Sequence, residues 1–545
     1  MRKTKIISTL GPAVEGKMDE LIKSGCDVAR FNTAHGSVEG HLDMYKEFLE
    51  ASEKSGKITA TMLDIKGPEL RVSACSKNFV RVGDTVTIGD DGDIELNHPE
   101  VYDVLTPGNR VLIHDGDIVM RVVKIDPIIH AEVLIGGIIG PKMGVNVPGV
   151  HLPIEYLQER DKLFLREMKN VDFVAASFVR NARDIVELKS FMKDLNMHSK
   201  IIAKIENQEG VDNIEDIIQI SDGIMVARGD LGTEIPLENL PRVQKYLLET
   251  AIQHGKPGII ATQILESMIR NPHPTRAEIS DIANAILDGA DALMLSGETA
   301  VGKYPIESVR ILSRVAEKAD SLAEKKSLIE LRGTLSESVS NAAVLLAMEI
   351  DADALLVLTR SGKTARLVSR HRPSMPILAA SPFPEVVHAL ALHWGVTPYL
   401  IESFEYSDEM VRKALNLAEE KGYVKRGDVI VIAGGEPRSV SGTTNFVWVQ
   451  LVGEVIARGN GFGEKIVHGK ICRIPRKCDI VLLSNIDSSE QPENVRGIVV
   501  ESDTYDPSLL REISRRDISI LAGTGTLNVE NEEVTLDPKR GVIWK

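Results

Sequence analysis

The sequence predicts an α/β protein: a (β/α)8 TIM barrel with an inserted small all-β lid domain, a C-terminal open-sheet α/β domain and an extra, mostly β tail domain. Three observations lead there. Eight short strand-like runs alternate with helical patterns, a β-rich interval interrupts them after the third run, and a second strand–helix series follows the eighth. The runs are KIISTLGP, DVARFNTAHG, ATMLDIKGPE, FVAASFVR, IIAKIEN, GIMVARGDLG, GIIATQ and ALMLSGET, with helical periodicity over 13–25, 38–55, 210–221, 242–255 and 277–289. The interval 72–150 is longer than one helix needs and alternates with period two, as in FVRVGDTVTIGDDGDIEL and RVLIHDGDIVMRVVKI. It reads as an insertion in a barrel loop, placed to act as a lid. These patterns give 1–71 and 151–332 as the barrel, 72–150 as the lid, 333–455 as the open-sheet domain and 460–545 as the tail. The Gly-rich stretch ARGNGFGEK, 457–465, reads as a linker.

Composition narrows the function. A chain of 545 residues is too long for one core, and 64 Lys+Arg against 79 Asp+Glu leave a net charge of −15. That balance argues against nucleic acid as a partner while leaving room for a local basic pocket. Four cysteines, at 26, 75, 472 and 478, argue against a secreted disulfide framework. The opening MRKTKIISTLGP has too short an apolar stretch for a signal peptide, and no run approaches the ~18 apolar residues needed to span a membrane. The expectation is a cytoplasmic protein without a membrane partner.

The stretch IIAKIENQEG sets Lys204 and Glu206 two positions apart at the end of an apolar strand, so both side chains share a face. Burying them unpaired would cost several kcal/mol. Taken locally, a structural ion pair and a catalytic site are equally open readings. The other strand ends tip the balance: Arg30, Asn32, Asp64, Asp230, Thr262 and Glu298 fall where a barrel gathers its active site. Glu206 and Asp230 are hard oxygen ligands suited to Mg2+ or Mn2+. Lys204, Arg30 and Arg71 are cations able to hold a phosphoryl group, so the set suits phosphoryl transfer. The residue types favour an enzyme without fixing its reaction.

Other motifs weigh less. GPAVEGKM has P-loop spacing, but Met18 cannot ligate Mg2+ as a Ser or Thr would. GNGFGEK lacks the strand and spacing of a dinucleotide fingerprint. His468, Cys472 and Cys478 lack a C-x2-C knuckle and make a weak zinc candidate. TRSGKTARL follows an apolar strand and opens a helix. Ser361, Gly362 and Thr364 there either present hydroxyls and N–H groups to a phosphate or simply cap the helix.

IIAKIENQEG, DGIMVARGDLG, ATQILESMI, DIKGPELR and NPHPTRAEISDIANAILDGADALMLSGETAVGKYP closely resemble the pyruvate kinase family, from residue 4 to about 452. The resemblance implies transfer of the phosphoryl group of phosphoenolpyruvate to ADP, giving pyruvate and ATP as the last step of glycolysis. It also implies a regulatory α/β domain and a homotetramer. Residue by residue, it implies that Lys204 stabilises the phosphoryl group in flight and that Glu206 and Asp230 hold the divalent ion. Arg30 and Arg71 would contact phosphate. The Gly229–Asp230 backbone would hold the substrate carboxylate, and Thr262 would stand near the enolate. Asn32, His35 and Arg71 would line the nucleotide site. Asn32, Asp64 and the Ile65 carbonyl would hold K+. Thr359, Ser361, Gly362, Lys363 and Thr364 would receive a phosphorylated effector.

The chain departs from the family pattern in three places. Ala34 replaces a serine ligand of K+, Ile65 replaces a threonine, and Met143 stands where the lid usually carries lysine, with Lys142 one position earlier. Glu69, typical of K+-dependent members, is kept, so the K+ requirement stays open. The tail faintly resembles the phosphohistidine domain of phosphoenolpyruvate-utilising enzymes. Its TYDPS stretch lacks the histidine, and His468 reads as part of an alternating strand. Two rival readings are a catalytically inactive effector-binding paralogue and another phosphoenolpyruvate/pyruvate barrel, such as an aldolase or lyase.

Overall fold

The computed structural model describes residues 2–114, 116–322, 333–402, 407–435, 443–473, 478–487 and 495–545. All eight runs are strands: Lys5–Thr9, Val28–Asn32, Ala60–Ile65, Phe173–Ala176, Lys200–Ile205, Gly223–Ala227, Gly258–Ala261 and Ala292–Leu295. They pair in parallel in chain order, and the eighth closes on the first.

Each barrel strand is apolar at almost every position because both faces are buried. Ile7, Val28, Met62, Ala175, Ile202, Met225, Ile259 and Met294 form one cluster. Their neighbours of the other parity, among them Ile6, Leu63, Val174, Ile201, Ile224, Ile260 and Leu293, pack in a second cluster with the surrounding helices. Parity therefore assigns each side chain to one of two cores, and continuing the first parity to the strand ends leads to the site.

The helix expected over 210–221 is two helices, Gln208–Asp212 and Ile214–Ile220, joined at Asn213. Asn213 turns its amide onto the Arg180 carbonyl at 3.0 Å. Asn207 caps the first of them, accepting from Gly210 N at 2.7 Å, which explains the polar, Gly-ended turn after Glu206. The interval 72–150 forms a seven-stranded sheet and a two-stranded ribbon entirely from its own strands, over a core that includes Val86, Ile88, Val111, Met120 and Val133.

The chain divides into two compact units. One comprises Met1–Val344, Val357–Ser403 and Gly434–Asn445; the other comprises Leu345–Leu356, Phe404–Ala433 and Phe446–Lys545. Within the first unit, Ile377–Ser381 pairs in parallel with Val396–Leu400.

The tail is an eight-stranded mixed sheet with the helix Pro507–Ser514. Here the linker reading is corrected. Val455–Arg458 pairs with Val542–Trp544, and Asn460–Phe462 pairs with 520–522, so the glycine-rich stretch is woven into the tail sheet. Gly461 is required there, because a Cβ would lie 1.7 Å from the Pro538 carbonyl oxygen.

The zinc candidate is also corrected: Cys472 and Cys478 are bonded to each other. His468 lies exposed on its strand, 3.0 Å from the Thr535 hydroxyl. Among the described residues no group of three or more His, Cys, Asp or Glu side chains could hold a metal ion. Nor is any helix among them long and apolar enough to cross a membrane.

Within the second unit the C-terminal strand returns onto segment 404–433. Trp544 is buried with Leu451, Val542 and Val429, its ring against Gly427, where a Cβ would come within 2.3 Å. Arg540 ties down the same corner, donating to the Gly427 carbonyl at 2.5 Å and pairing with Asp353 at 2.9 Å. The tail therefore shares a core with part of the α/β segment. Trp544→Ala is expected to cost about 3–5 kcal/mol of that unit's stability, read by denaturant unfolding, with the barrel's turnover unchanged.

Candidate active site

Thr9, Arg30, Asp64, Ser177 and Lys204 continue the inward parity of Ile7, Val28, Met62, Ala175 and Ile202, so five successive strands deliver their side chains to the barrel mouth. There they form one network. Lys204 Nζ lies 2.6 Å from Ser177 Oγ, 3.2 Å from Asp64 Oδ1 and 3.0 Å from Glu206 Oε1. Arg30 donates from Nε to Asp64 Oδ2 at 2.7 Å and from a terminal nitrogen to Thr9 Oγ1 at 2.9 Å. Ser177 Oγ lies 3.2 Å from Asp64 Oδ1, and Phe178 N–H donates to Glu206 Oε2 at 2.6 Å.

Two cations and two carboxylates share this cluster, and Glu206 is only 1% exposed. Burial works against the Lys204 ammonium, but Asp64 and Glu206 outweigh it and hold the group above its ordinary value. Burial likewise opposes the Asp64 carboxylate, and Arg30 with Lys204 outweighs that, holding it below the usual range. The linkage signs follow. Asp64's contribution to stability is present above the unfolded carboxyl pKa and is lost as pH falls through the lower folded one. Lys204's contribution is present below the unfolded ammonium pKa and is lost only as pH rises through the higher folded one. At neutral pH Lys204 and Asp64 are both charged.

Beside it the sixth strand leads into helix Arg228–Glu234. Thr262 Oγ1 accepts from Gly229 N at 2.9 Å and donates to the Ala261 carbonyl at 2.6 Å. Thr262 and Gln263 have φ of 64° and 53°, a conformation side chains seldom adopt. Arg228 secures it by donating to both of their carbonyls, at 2.9 and 3.0 Å, and to Asp281 at 2.6 Å. Asp230 faces a cavity of about 560 Å3, lined from the insertion side by Gly144, Asn146 and Val147 and from the barrel side by Phe178, Asn207 and Glu234. Asn146 donates to Glu234 at 2.8 Å across this cavity.

The remaining expected residues fall in four places. Asn32 ends its strand and accepts from Ala34 N at 3.2 Å, and His35 lies in the turn after it. Arg71 stands at the root of the insertion, 2.5 Å from Glu69 and bonded to the Lys142 carbonyl. Met143 packs against the insertion's core, and its sulfur accepts from Gly140 N at 3.3 Å, so it offers no cation to the cavity. Glu298, grouped by sequence with the strand-end chemistry, is set apart: it is buried and accepts from the backbone N–H of Leu265 and Ser296 at 3.0 and 2.8 Å, bracing two loops.

Glu206 and Asp230 are carboxylates at successive strand ends, the hard-oxygen type that suits a divalent ion. The monovalent set fits less well. Asp64's oxygens are taken by Arg30, Lys204 and Ser177, and Ala34 supplies no side-chain oxygen.

In the loop 359–364, helix Lys363–Ser369 follows Gly362 with no side-chain cap. Thr359 Oγ1 instead accepts from Gly362 N at 2.9 Å, and Thr364 shares a 2.7 Å hydroxyl contact with Thr444.

Sequence reasoning passed over Ser177, Thr9, Phe178, Arg228 and Asp161. Asp161 accepts from Lys66 N at 2.8 Å and Gly67 N at 3.1 Å, fixing the turn after Asp64. Strand parity alone would have found Thr9 and Ser177.

Fold and cluster together are those of a barrel enzyme whose charged site opens under an inserted β domain. The family model for the pyruvate kinase barrel domain matches residues 1–309, and that for the pyruvate kinase alpha/beta domain matches 337–450. A pyruvate kinase of Sporosarcina psychrophila is 38% identical over 100% of this chain and 99% of its own length. One of Geobacillus stearothermophilus is 39% identical over 86% of this chain and 84% of its own. A solved pyruvate kinase structure from Cryptosporidium parvum superposes with a TM-score of 0.77 at 34% identity, covering 83% of this chain and 96% of that one. The chain belongs to the pyruvate kinase family. The tail lies beyond both family models, although the Sporosarcina alignment spans it.

Ser177→Ala removes the shortest contact to Lys204. Hydrogen bonds to charged groups are worth about 1.5–3 kcal/mol, so kcat is expected to fall roughly ten- to a hundredfold with little change in KM, measured by steady-state kinetics.

Proposed function

We propose that this chain performs the family's reaction, moving the phosphoryl group of phosphoenolpyruvate to ADP, through the cluster just described. The observation that carries this is a buried ammonium, Lys204, held within 3.2 Å of Asp64 and Glu206 beside the cavity that Asp230 lines. Lys204 meets the charge of the phosphoryl group in transit, and Arg30, fixed by Asp64 and Thr9, orients it. Glu206 and Asp230 are the residues that would hold Mg2+ or Mn2+, which when bound supplies charge neutralisation to the phosphoryl oxygens. The Gly229–Asp230 backbone at the helix start receives the substrate carboxylate. Thr262 Oγ1, set between the Gly229 N–H and the Ala261 carbonyl, is the hydroxyl we assign to protonation of the enolate. Asn32, His35 and Arg71 take the nucleotide, with the insertion closing over it.

K+, if used, would lie by Asn32, Asp64 and the Ile65 carbonyl without help from Ala34. An aldolase or lyase would need neither ADP nor the lid, and an inactive paralogue would not need Lys204, Glu206 and Asp230 together.

A coupled assay with phosphoenolpyruvate, ADP and Mg2+ is expected to show turnover that requires ADP. Lys204→Met is expected to lose 10²–10³-fold or more in kcat while still binding phosphoenolpyruvate. Pyruvate release without ADP, or a variant that keeps more than a few per cent of kcat, would overturn the assignment.

We further propose a cytoplasmic homotetramer regulated by a phosphorylated small molecule at Thr359, Ser361, Gly362, Lys363 and Thr364. The support is local. The loop follows the strand Ala354–Leu358, and Gly362, at φ 78°, turns it into a helix start with no side-chain cap of its own. AMP, fructose bisphosphate and pentose phosphates are the probes: at least one is expected to lower the half-saturating phosphoenolpyruvate concentration, and Ser361→Asp to abolish that response by charge repulsion. Unchanged kinetics with every probe, and in the variant, would leave the loop a plain helix start.

A further inference from the structure

The parallel strands Val467–Cys472 and Ile480–Leu483 are neighbours in the tail sheet. Their shared ladder is short, Ile471 opposite Ile480 and Cys472 opposite Val481. Two fastenings lie beside this ladder. One is the Cys472–Cys478 disulfide across it. The other is Arg473, next to the first cysteine, which grips both oxygens of Glu501 at 3.1 and 2.8 Å and donates to the Leu527 carbonyl at 3.1 Å. Glu501 is 9% exposed and also accepts from Leu527 N at 2.8 Å and Ser484 Oγ at 3.3 Å, so strands and segments from four parts of the tail meet on one carboxylate.

We propose that Cys472 and Cys478 form a reversible dithiol–disulfide pair that exchanges with low-molecular-weight thiols and sets how firmly Arg473 is held on Glu501. Cys472 is buried and Cys478 half-buried, so the outer sulfur is the one an incoming thiolate attacks. In that step the thiolate bonds Cys478 Sγ, the Cys472–Cys478 bond breaks, and Cys472 leaves as a thiolate that takes a proton. A second thiolate then attacks the sulfur of the small thiol in the mixed disulfide, releasing Cys478 as a thiol and one molecule of small disulfide. Overall two small thiols are oxidised and the protein disulfide is reduced to two thiols; oxidation by a small disulfide is the reverse. Because Cys472 and Arg473 are adjacent, disulfide and clasp fix the same strand end, and each is expected to stabilise the other.

The experiment equilibrates the full-length enzyme in glutathione buffers from oxidising to strongly reducing, followed by acid quenching, denaturing alkylation and intact mass. The oxidised chain is expected to show two alkylated thiols, those of Cys26 and Cys75, and the reduced chain all four, in a single two-thiol transition. Reduction is expected to lower the tail's melting midpoint on the order of 5–10 °C, and a Cys472→Ser, Cys478→Ser chain to melt near the reduced value in every buffer. Arg473→Gln, which keeps both cysteines, is expected to shift the transition threefold or more toward easier reduction. Four alkylated thiols in every buffer, or two even in excess dithiothreitol on the native protein, would overturn the proposal. So would a transition without a melting shift, or one that Arg473→Gln leaves in place.

Discussion

The active site depends on one constraint: charges taken out of water at the barrel mouth must satisfy one another. Asp64 is the hub. It receives Arg30 on one oxygen and Lys204 with Ser177 on the other, and without it two buried cations would face each other with Glu206 alone between them and solvent. Removing one partner of such a set leaves an uncompensated charge, which costs about 3–5 kcal/mol. The surrounding backbone is arranged accordingly. Asp161 pins the turn after Asp64, Thr33 hydrogen-bonds the Asp64 carbonyl through both its N–H and its hydroxyl, and Phe178, at φ 52°, aims its N–H at Glu206.

The same economy runs through the second wall of the site. The two consecutive left-handed residues Thr262 and Gln263 would each be disfavoured alone. Arg228 holds both carbonyls while Asp281 balances its charge, and the Thr262 hydroxyl fixes Gly229. Strain in one loop is thus over-determined by a neighbouring helix start, which fixes the Gly229 backbone.

Much of this was legible from the chain. The barrel was readable because its strands are buried on both faces and end in groups that have no business in a core, and Lys204 with Glu206 stood out for that reason. Ser177 and Thr9 did not stand out by residue type, since a hydroxyl at a strand end is unremarkable, and only strand parity with Ala175 and Ile7 points to them. Glu298 misled for the converse reason: a carboxylate at a strand end looks chemical, yet its oxygens serve backbone N–H groups. The glycine-rich stretch around Gly461 misled as well, because glycine signals a flexible join in sequence but here marks a strand crossing within touching distance of the Pro538 backbone. The tail's fastening by Trp544 onto Gly427 is a long-range contact that no local pattern encodes.

The geometry around Lys204 carries a consequence for binding. An ammonium has three N–H donors, and three oxygens, of Ser177, Asp64 and Glu206, already lie within 3.2 Å. On the proposed role of Lys204, a phosphoryl oxygen arriving there would compete with these contacts. Asp64 is the costly one to lose, because Arg30 shares it. Ser177 is neutral and returns little electrostatic energy when exchanged. Glu206 is the partner whose departure can be compensated, since it and Asp230 are the pair suited to a divalent cation. A cation held there would weaken Glu206's attraction for Lys204 as an anion took its place. On that proposal, metal and phosphoryl group would be favoured together and opposed singly, by charge balance within one cluster.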